Sequence, residues 1–396
     1  MASSFIQRLS QMMKWGCLGL LLLFLLVVAI AALSNLGLPK GSRVVDRLSD
    51  LEKARLHEVF HLRHELGEAV WPGWSQADIP VILYNESYAF IVGYPSPPPG
   101  WFKMPSRLPR GGAWEVVPGD QHDGQSYYRQ PLPDSKRTPE AFTVLVGDRW
   151  AASMQTKEWM SIALRKQVRA DVPWLVKPII PYRLISALFL GSSDVYVSAV
   201  LHESFHAFQG MAAPARLEAS ENAVRQFESG YPWDDPGSKA AWNAELNLLA
   251  EGLRVEARDD TARLARQFLA QRTGRRSEHR LDSRFVDYER QREWLEGLGK
   301  YVELEVWRQA SVTKSYRPVQ PLSADPDFEH YRTFHRRWTQ EVAQIGRSTN
   351  AHDGRFYYSG MAQAFLLDRL APGWKDRAMA EGVWLEDLLR EACDKK

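Results

Sequence analysis

The sequence predicts an α+β protein, mostly helical, behind one N-terminal transmembrane helix. Three observations predict this. No charged residue occurs in residues 15–39. Runs rich in β-branched and aromatic residues fall between positions 79 and 146. From Glu158 onward, apolar residues recur mostly at helical spacing. The 396 residues are ample for a large core, and 25% charged with 45% hydrophobic is ordinary globular composition. Fifty basic residues against 48 acidic ones argue against a dedicated nucleic-acid binder. Two cysteines, Cys17 and Cys393, exclude a disulfide framework and a cysteine-based zinc site.

The elements follow in order. Residues 1–14 are a tail carrying Arg8 and Lys14, and residues 15–38 form the membrane segment. A span needs ~20 apolar residues, and this run supplies them. The competing reading is a cleaved signal peptide with Ala29-Ile30-Ala31 as its cleavage site. The run is longer than a usual signal core of ~7–15 residues, which favours an uncleaved signal anchor. Lys40, Arg43, Arg47, Lys53 and Arg55 follow the span, and a literal charge count would keep the large domain in the cytoplasm. A basic tail ahead of a first apolar segment is also an export signal, and we expect the domain outside the cytoplasm, periplasmic or extracellular.

Residues 44–396 read as one domain. RVVDRLSDLEKARLHEVFHLRHELGEAV has helical spacing; its HEVFH portion looks surface-lying. IPVILYN (79–85), YAFIVGYP (88–95) and FTVLV (142–146) read as three strands of a small N-terminal sheet. Residues 95–139 hold ten of the 23 prolines and read as a loop or flap. Helices are expected before Pro173, across 201–208, and over about 240–271, 287–309, 330–345 and 358–370. The apolar stretch 184–193 is too short to cross a membrane. Most of the 15 tryptophans are expected in the core, and RTGRRSEHR (272–280) as a solvated loop.

The strongest chemical signal is VLHESFHAF, in which His202, Glu203 and His206 form HExxH. On a helix, positions i and i+4 lie one turn apart on one face, which suits two ligands of a tetrahedral Zn²⁺. The intervening Glu can then act as general base on a metal-activated water. A second copy, His57, Glu58 and His61, sits among charges, whereas the His202 copy lies in uncharged surroundings of the kind a metal site needs. We therefore favour His202 and His206.

This stretch resembles the active-site helix of the zincin metallopeptidases. Gly210 stands one position late for the metzincin extension and no third histidine follows, so the resemblance is to the gluzincin branch. There a Glu on a later helix is the third ligand. WLEGLGKYVE (294–303) is similar to the gluzincin Glu-Gly-x-x-x-Tyr step and would make Glu296 that ligand, with Glu293 as its supporting partner. Glu251, Glu245 and Glu256 on the preceding helix are rivals. On a helical wheel Glu296 lies beside the apolar stripe of Tyr288, Leu295, Leu298, Val302 and Val306. The resemblance also implies a Tyr or His that stabilises the oxyanion. Tyr357, Tyr358, His330, His335 and His352 are candidates, Tyr358 being our choice. The expectation is a membrane-anchored zinc metallopeptidase, tethered through residues 15–38, that acts on a peptide or protein substrate. The rival is an inactive zincin-shaped binding or scaffold protein held at the membrane. An intramembrane protease is disfavoured, since HExxH follows a segment containing Asp194.

Overall fold

The computed structural model describes residues 2–132 and 143–394, with side chains from Trp15 onward. The chain starts with a helix, Ala2–Ser34, of which Trp15–Ser34 is long and apolar enough to cross a membrane. Its leucines face outward, with Leu20 70% exposed. The helix ends four residues earlier than the expected 15–38 segment. At that point Asn35 turns the chain and bonds to the Ile180 carbonyl at 2.7 Å.

Helix Asp50–Val70 follows, capped by Ser49, whose hydroxyl accepts the Glu52 N–H. It is not surface-lying. Leu56, Val59, Leu62 and Leu66 enter the core, and even Glu58 is fully buried.

Among the described residues the sheet has eight strands where three were expected. These are β1 (Val81–Tyr84), β2 (Tyr88–Val92), β3 (Trp101–Lys103), β4 (Leu108–Arg110), β5 (Glu115–Val116), β6 (Tyr128–Pro131), β7 (Val144–Val146) and β8 (Arg149–Gln155). Their order is β4-β3-β7-β8-β1-β2-β6-β5, and only the β1–β8 pair is parallel. Four strands fall inside the proline-rich segment, which is therefore a part of the sheet and not simply a loop. They are two to four residues long, too short for alternation to show, and Pro109 and Pro131 disguise them further. Residues 133–139 of that segment lie outside the described residues, as does the start of the third expected strand.

Alternation divides the sheet's two faces. Val81, Leu83, Phe90, Val92, Ala152 and Met154 point into the main core, where the helices pack. Ile82, Tyr84, Ala89 and Ile91 point the other way, into a smaller core with Trp101, Trp114 and Tyr128. On the helical side the sheet meets helix Ser193–Ala212 along β8. Gly210 permits this close approach: a Cβ there would lie 2.5 Å from the Trp150 ring. Leu201 and Phe205 on this helix are fully buried, each contributing about 2–3 kcal/mol.

The remaining helices wrap this centre. Pro236–Arg254 and Arg258–Glu278 replace the single helix expected over 240–271. The expected 287–309 helix has three parts: Ser283–Arg292, a π-helical turn at Glu293–Gly297, and Leu298–Val312. Gly354–Leu370 crosses the π turn, where a Cβ on Gly297 would stand 2.4 Å from the Gly360 Cα.

The basic run 272–280 is mostly helix, and two of its arginines are buried. Arg272 and Arg275 are each 1% exposed. Arg272 pairs with Glu293 at 2.6 Å and with Glu245 and Glu386 at 3.1 Å. Arg275 pairs with Glu289 at 2.7 Å. Burial explains why a basic stretch is no solvated loop: four helices converge there with matching acids.

Candidate metal centre

Helix Ser193–Ala212 is aimed by its first turn. Buried Asp194 accepts the backbone N–H groups of Glu329 at 2.7 Å and Tyr331 at 2.6 Å, tying the helix start to the 325–331 loop. The helix then carries His202 and His206 inward, 7% and 5% exposed. Their ring centroids are 4.6 Å apart.

Glu296 comes to meet them from the π turn. Its Oε2 stands 3.3 Å from His202 Nε2 and 3.3 Å from His206 Nε2. One donor atom from each of the three residues lies within 4.8 Å of the others. A direct charge-assisted N–H···O bond closes to about 2.7–2.9 Å. Donors at ~2.0–2.1 Å around a tetrahedral ion stand ~3.3 Å apart. The spacing therefore fits three ligands facing one small cation, and the two-nitrogen, one-oxygen donor set suits zinc. Glu296 lies within the π turn Glu293–Gly297, where a regular 100° wheel no longer applies.

Each donor is held from behind. His206 Nδ1 and Gln209 Oε1 are 2.7 Å apart, and Gln209 Nε2 donates to the Trp294 carbonyl at 2.9 Å. Because that amide oxygen can only accept, Nδ1 carries the hydrogen and Nε2 is left free to ligate. His202 Nδ1 faces Glu303 Oε2 at 3.7 Å. Glu296 Oε1 accepts from Arg292 Nη2 at 2.9 Å, and Arg292 is fixed in turn by Asp353 at 2.6 Å. Gly299 closes the floor: a Cβ there would meet His202 Nε2 at 2.8 Å and His206 Cε1 at 2.9 Å.

The charge balance suits a cation. Burial pushes the Glu296 carboxyl up, but Arg292 and His206 more than reverse this and hold it well below the usual carboxylate range. Burial pushes His202 down, and the carboxylates of Glu296, Glu303 and Glu203 around it turn this into a rise to about 10. Burial raises the Glu203 carboxyl, which His206 and His202 only partly offset.

A cleft of about 220 Å³ opens on the cluster. Glu203, Glu221, Arg292 and Tyr357 line it beside His206 and Glu296. Lys103 and Met104, from the proline-rich segment, complete one wall.

The other expected residues lie elsewhere. Tyr358 does not line the cleft, and its phenol lies near Glu341. The adjacent Tyr357 is the one that faces the site, its ring stacked 6.0 Å from His202 and its phenol near Glu296. Neighbours on a helix point ~100° apart, so one step of register separates the two. His330 packs on Phe328, His352 packs on Trp233, and His335 is exposed. Glu245 is buried in the arginine cluster, and Glu251 and Glu256 are exposed. Glu293 does not support Glu296; it is bound to Arg272 and Ser359, and Arg292 takes that part. Of the second HExxH, Glu58 accepts the phenols of Tyr316 at 2.6 Å and Tyr331 at 2.9 Å, while His61 stacks on Tyr316. That motif ties the 316–331 segment to its helix. Gln209 and Arg292 were not foreseen; an i+3 amide after the second His and an i−4 arginine before Glu296 were the available signals.

Comparison of the chain with protein-family models, with curated proteins and with solved structures finds no match.

Proposed function

We propose that this protein is a membrane-anchored, zinc-dependent metallopeptidase of gluzincin type. One observation carries the proposal: His202 and His206 each stand 3.3 Å from Glu296, which comes from a distant part of the chain, and His206 and Glu296 line a cleft that also holds Glu203. Three protein ligands beside an open cleft are the arrangement of a catalytic rather than a structural zinc site. Bound Zn²⁺ supplies Lewis acidity there, acidifying water and polarising a carbonyl.

The chain's own residues do the rest. Glu203 lies on the cleft wall, next in sequence to His202, and is the general base in this reading. Its carboxylate takes the proton of the attacking water and returns it to the leaving amine nitrogen. Tyr357 is the phenol on the cleft wall, and burial together with Glu296 keeps it protonated. In this reading it donates to the developing oxyanion. Arg292 and Gln209 act as positioning residues for Glu296 and His206.

The test is metal analysis and proteolysis of the purified full chain in detergent. The reading expects about one zinc per chain and chelator-sensitive cleavage of an unfolded protein. Glu203→Gln should keep the zinc and lower turnover by ~10²–10⁴. Zinc without cleavage in the parent protein would favour a tethered binding protein instead.

A further inference from the structure

The segment between helix Lys157–Asp171 and the HExxH helix is built inside out. Among the described residues, ten large hydrophobic side chains beyond the N-terminal helix are exposed, and five of them lie here: Trp174, Leu175, Leu184, Leu188 and Phe189. Their exposure runs from 57% to 76%. The short helix Tyr182–Leu190 turns Ser186 and Tyr182 inward and Leu184 and Leu188 outward. A helix on a water-facing surface presents the opposite arrangement.

This apolar face joins the membrane segment. Asn35, just past the end of helix Ala2–Ser34, donates to the Ile180 carbonyl at 2.7 Å, and its Oδ1 accepts the Tyr182 N–H at 3.2 Å. The same helix packs on the turn Lys177–Ile179. Wherever helix Ala2–Ser34 leaves the bilayer, residues 174–190 are therefore held beside its end. Their composition is that of an interfacial element, with Trp174 and Phe189 among leucines and with Lys177 and Arg183 at hand for lipid phosphates.

We propose that residues 173–190 form a second membrane contact, lying in the bilayer interface next to the anchor helix. The occupant of this apolar face is lipid. The consequence reaches the candidate site, because only Gly191 and Ser192 separate the interfacial helix from the HExxH helix. Gly191 has φ +63°, and a Cβ there would lie 2.9 Å from Val195. The two helices meet at a bend of 50°. A membrane-bound Tyr182–Leu190 helix thus sets the orientation of helix Ser193–Ala212, and of the cleft, relative to the bilayer. The proposal rests on the anchor and is independent of zinc or peptidase activity.

The experiment uses the full chain with Cys17 and Cys393 replaced by Ser, reconstituted in vesicles of phosphatidylcholine and phosphatidylglycerol. Single cysteines replacing Phe24, Leu188 or Val312 carry an environment-sensitive fluorophore, and nitroxide-labelled lipid serves as quencher. Thermal unfolding checks that each labelled protein folds. The expected result is blue-shifted emission quenched by the lipid at positions 24 and 188, with water-like, unquenched emission at 312. Quenching at 24 but not at 188 overturns the interfacial contact while leaving the anchor intact. Absence of quenching at both overturns the two together. A blue shift at 188 without lipid quenching also overturns the proposal and points to protein covering that face.

Discussion

Replacing Gly299 by alanine separates metal binding from folding. Gly299 lies inside helix Leu298–Val312 with ordinary helical backbone, so alanine should stabilise the helix itself by up to about 1 kcal/mol. The added Cβ, however, falls 2.8 Å from His202 Nε2 and Cε1 and 2.9 Å from His206 Cε1. That is about 0.6 Å short of the 3.4 Å at which ordinary contact begins. While both Nε2 atoms hold an ion the rings cannot swing away from it, and the contacts of His206 with Gln209 and of His202 with Glu303 keep them turned toward it. A shift of about 0.6 Å exceeds the ~0.2 Å tolerance of a metal–ligand distance. Zinc affinity of Gly299→Ala should therefore fall at least ~10-fold, measured by competition with a chromophoric chelator. The melting temperature in the presence of chelator should hold or rise, because rings without an ion can rotate aside. Parent-like zinc affinity would refute the reasoning, since it would mean that the imidazoles do not converge above this helix floor.

Three further outcomes follow from the same geometry. Gln209→Leu removes the acceptor that fixes the His206 tautomer and should weaken zinc binding ~10–100-fold, whereas Gln209→Glu should largely restore it. Arg272→Met leaves Glu245, Glu293 and Glu386 buried with one cation fewer and should destabilise the fold by ~3–5 kcal/mol in denaturant titration. Burial pushes the Glu289 carboxyl up, but Arg275 and Arg276 outweigh it and bring it down to about 2. Its folded value lies below the unfolded ~4.3, so its stabilisation is present above that pH and is lost as pH falls from ~4.3 toward 2. Glu289→Gln should flatten the stability curve in that window, and an unchanged curve would show that the ion pairs with Arg275 and Arg276 contribute nothing.

Features governed by neighbouring residues in the chain were legible, and those governed by packing were not. The His202–His206 pair needs only the helical repeat to share a face, and the motif shows it. Glu296 lies 90 residues beyond His206. Its candidacy came from the Glu-Gly step, while a helical wheel did not settle it, because a regular wheel contains no π turn. Tyr357 and Tyr358 sit side by side, and no pattern of composition says which faces the cleft; the Gly297–Gly360 contact, which seats Gly354–Leu370 on the π turn, decides it. The short strands between residues 101 and 131 owe their existence to pairing partners, not to their own propensity. The run at 272–280 looked solvated because charge is a local property, while its acidic partners lie on other helices.

By itself, the sequence determined that an apolar helix precedes a mostly helical α+β domain, and that two imidazoles and a carboxylate share one helix. Hydropathy and helical repeat act over a few residues, so both can be read without coordinates. Only the tertiary structure decided which distant acid meets those imidazoles, which tyrosine faces the cleft, and that an apolar face lies beside the apolar N-terminal helix. Those outcomes depend on the close packing of segments far apart in the chain, which local pattern does not encode.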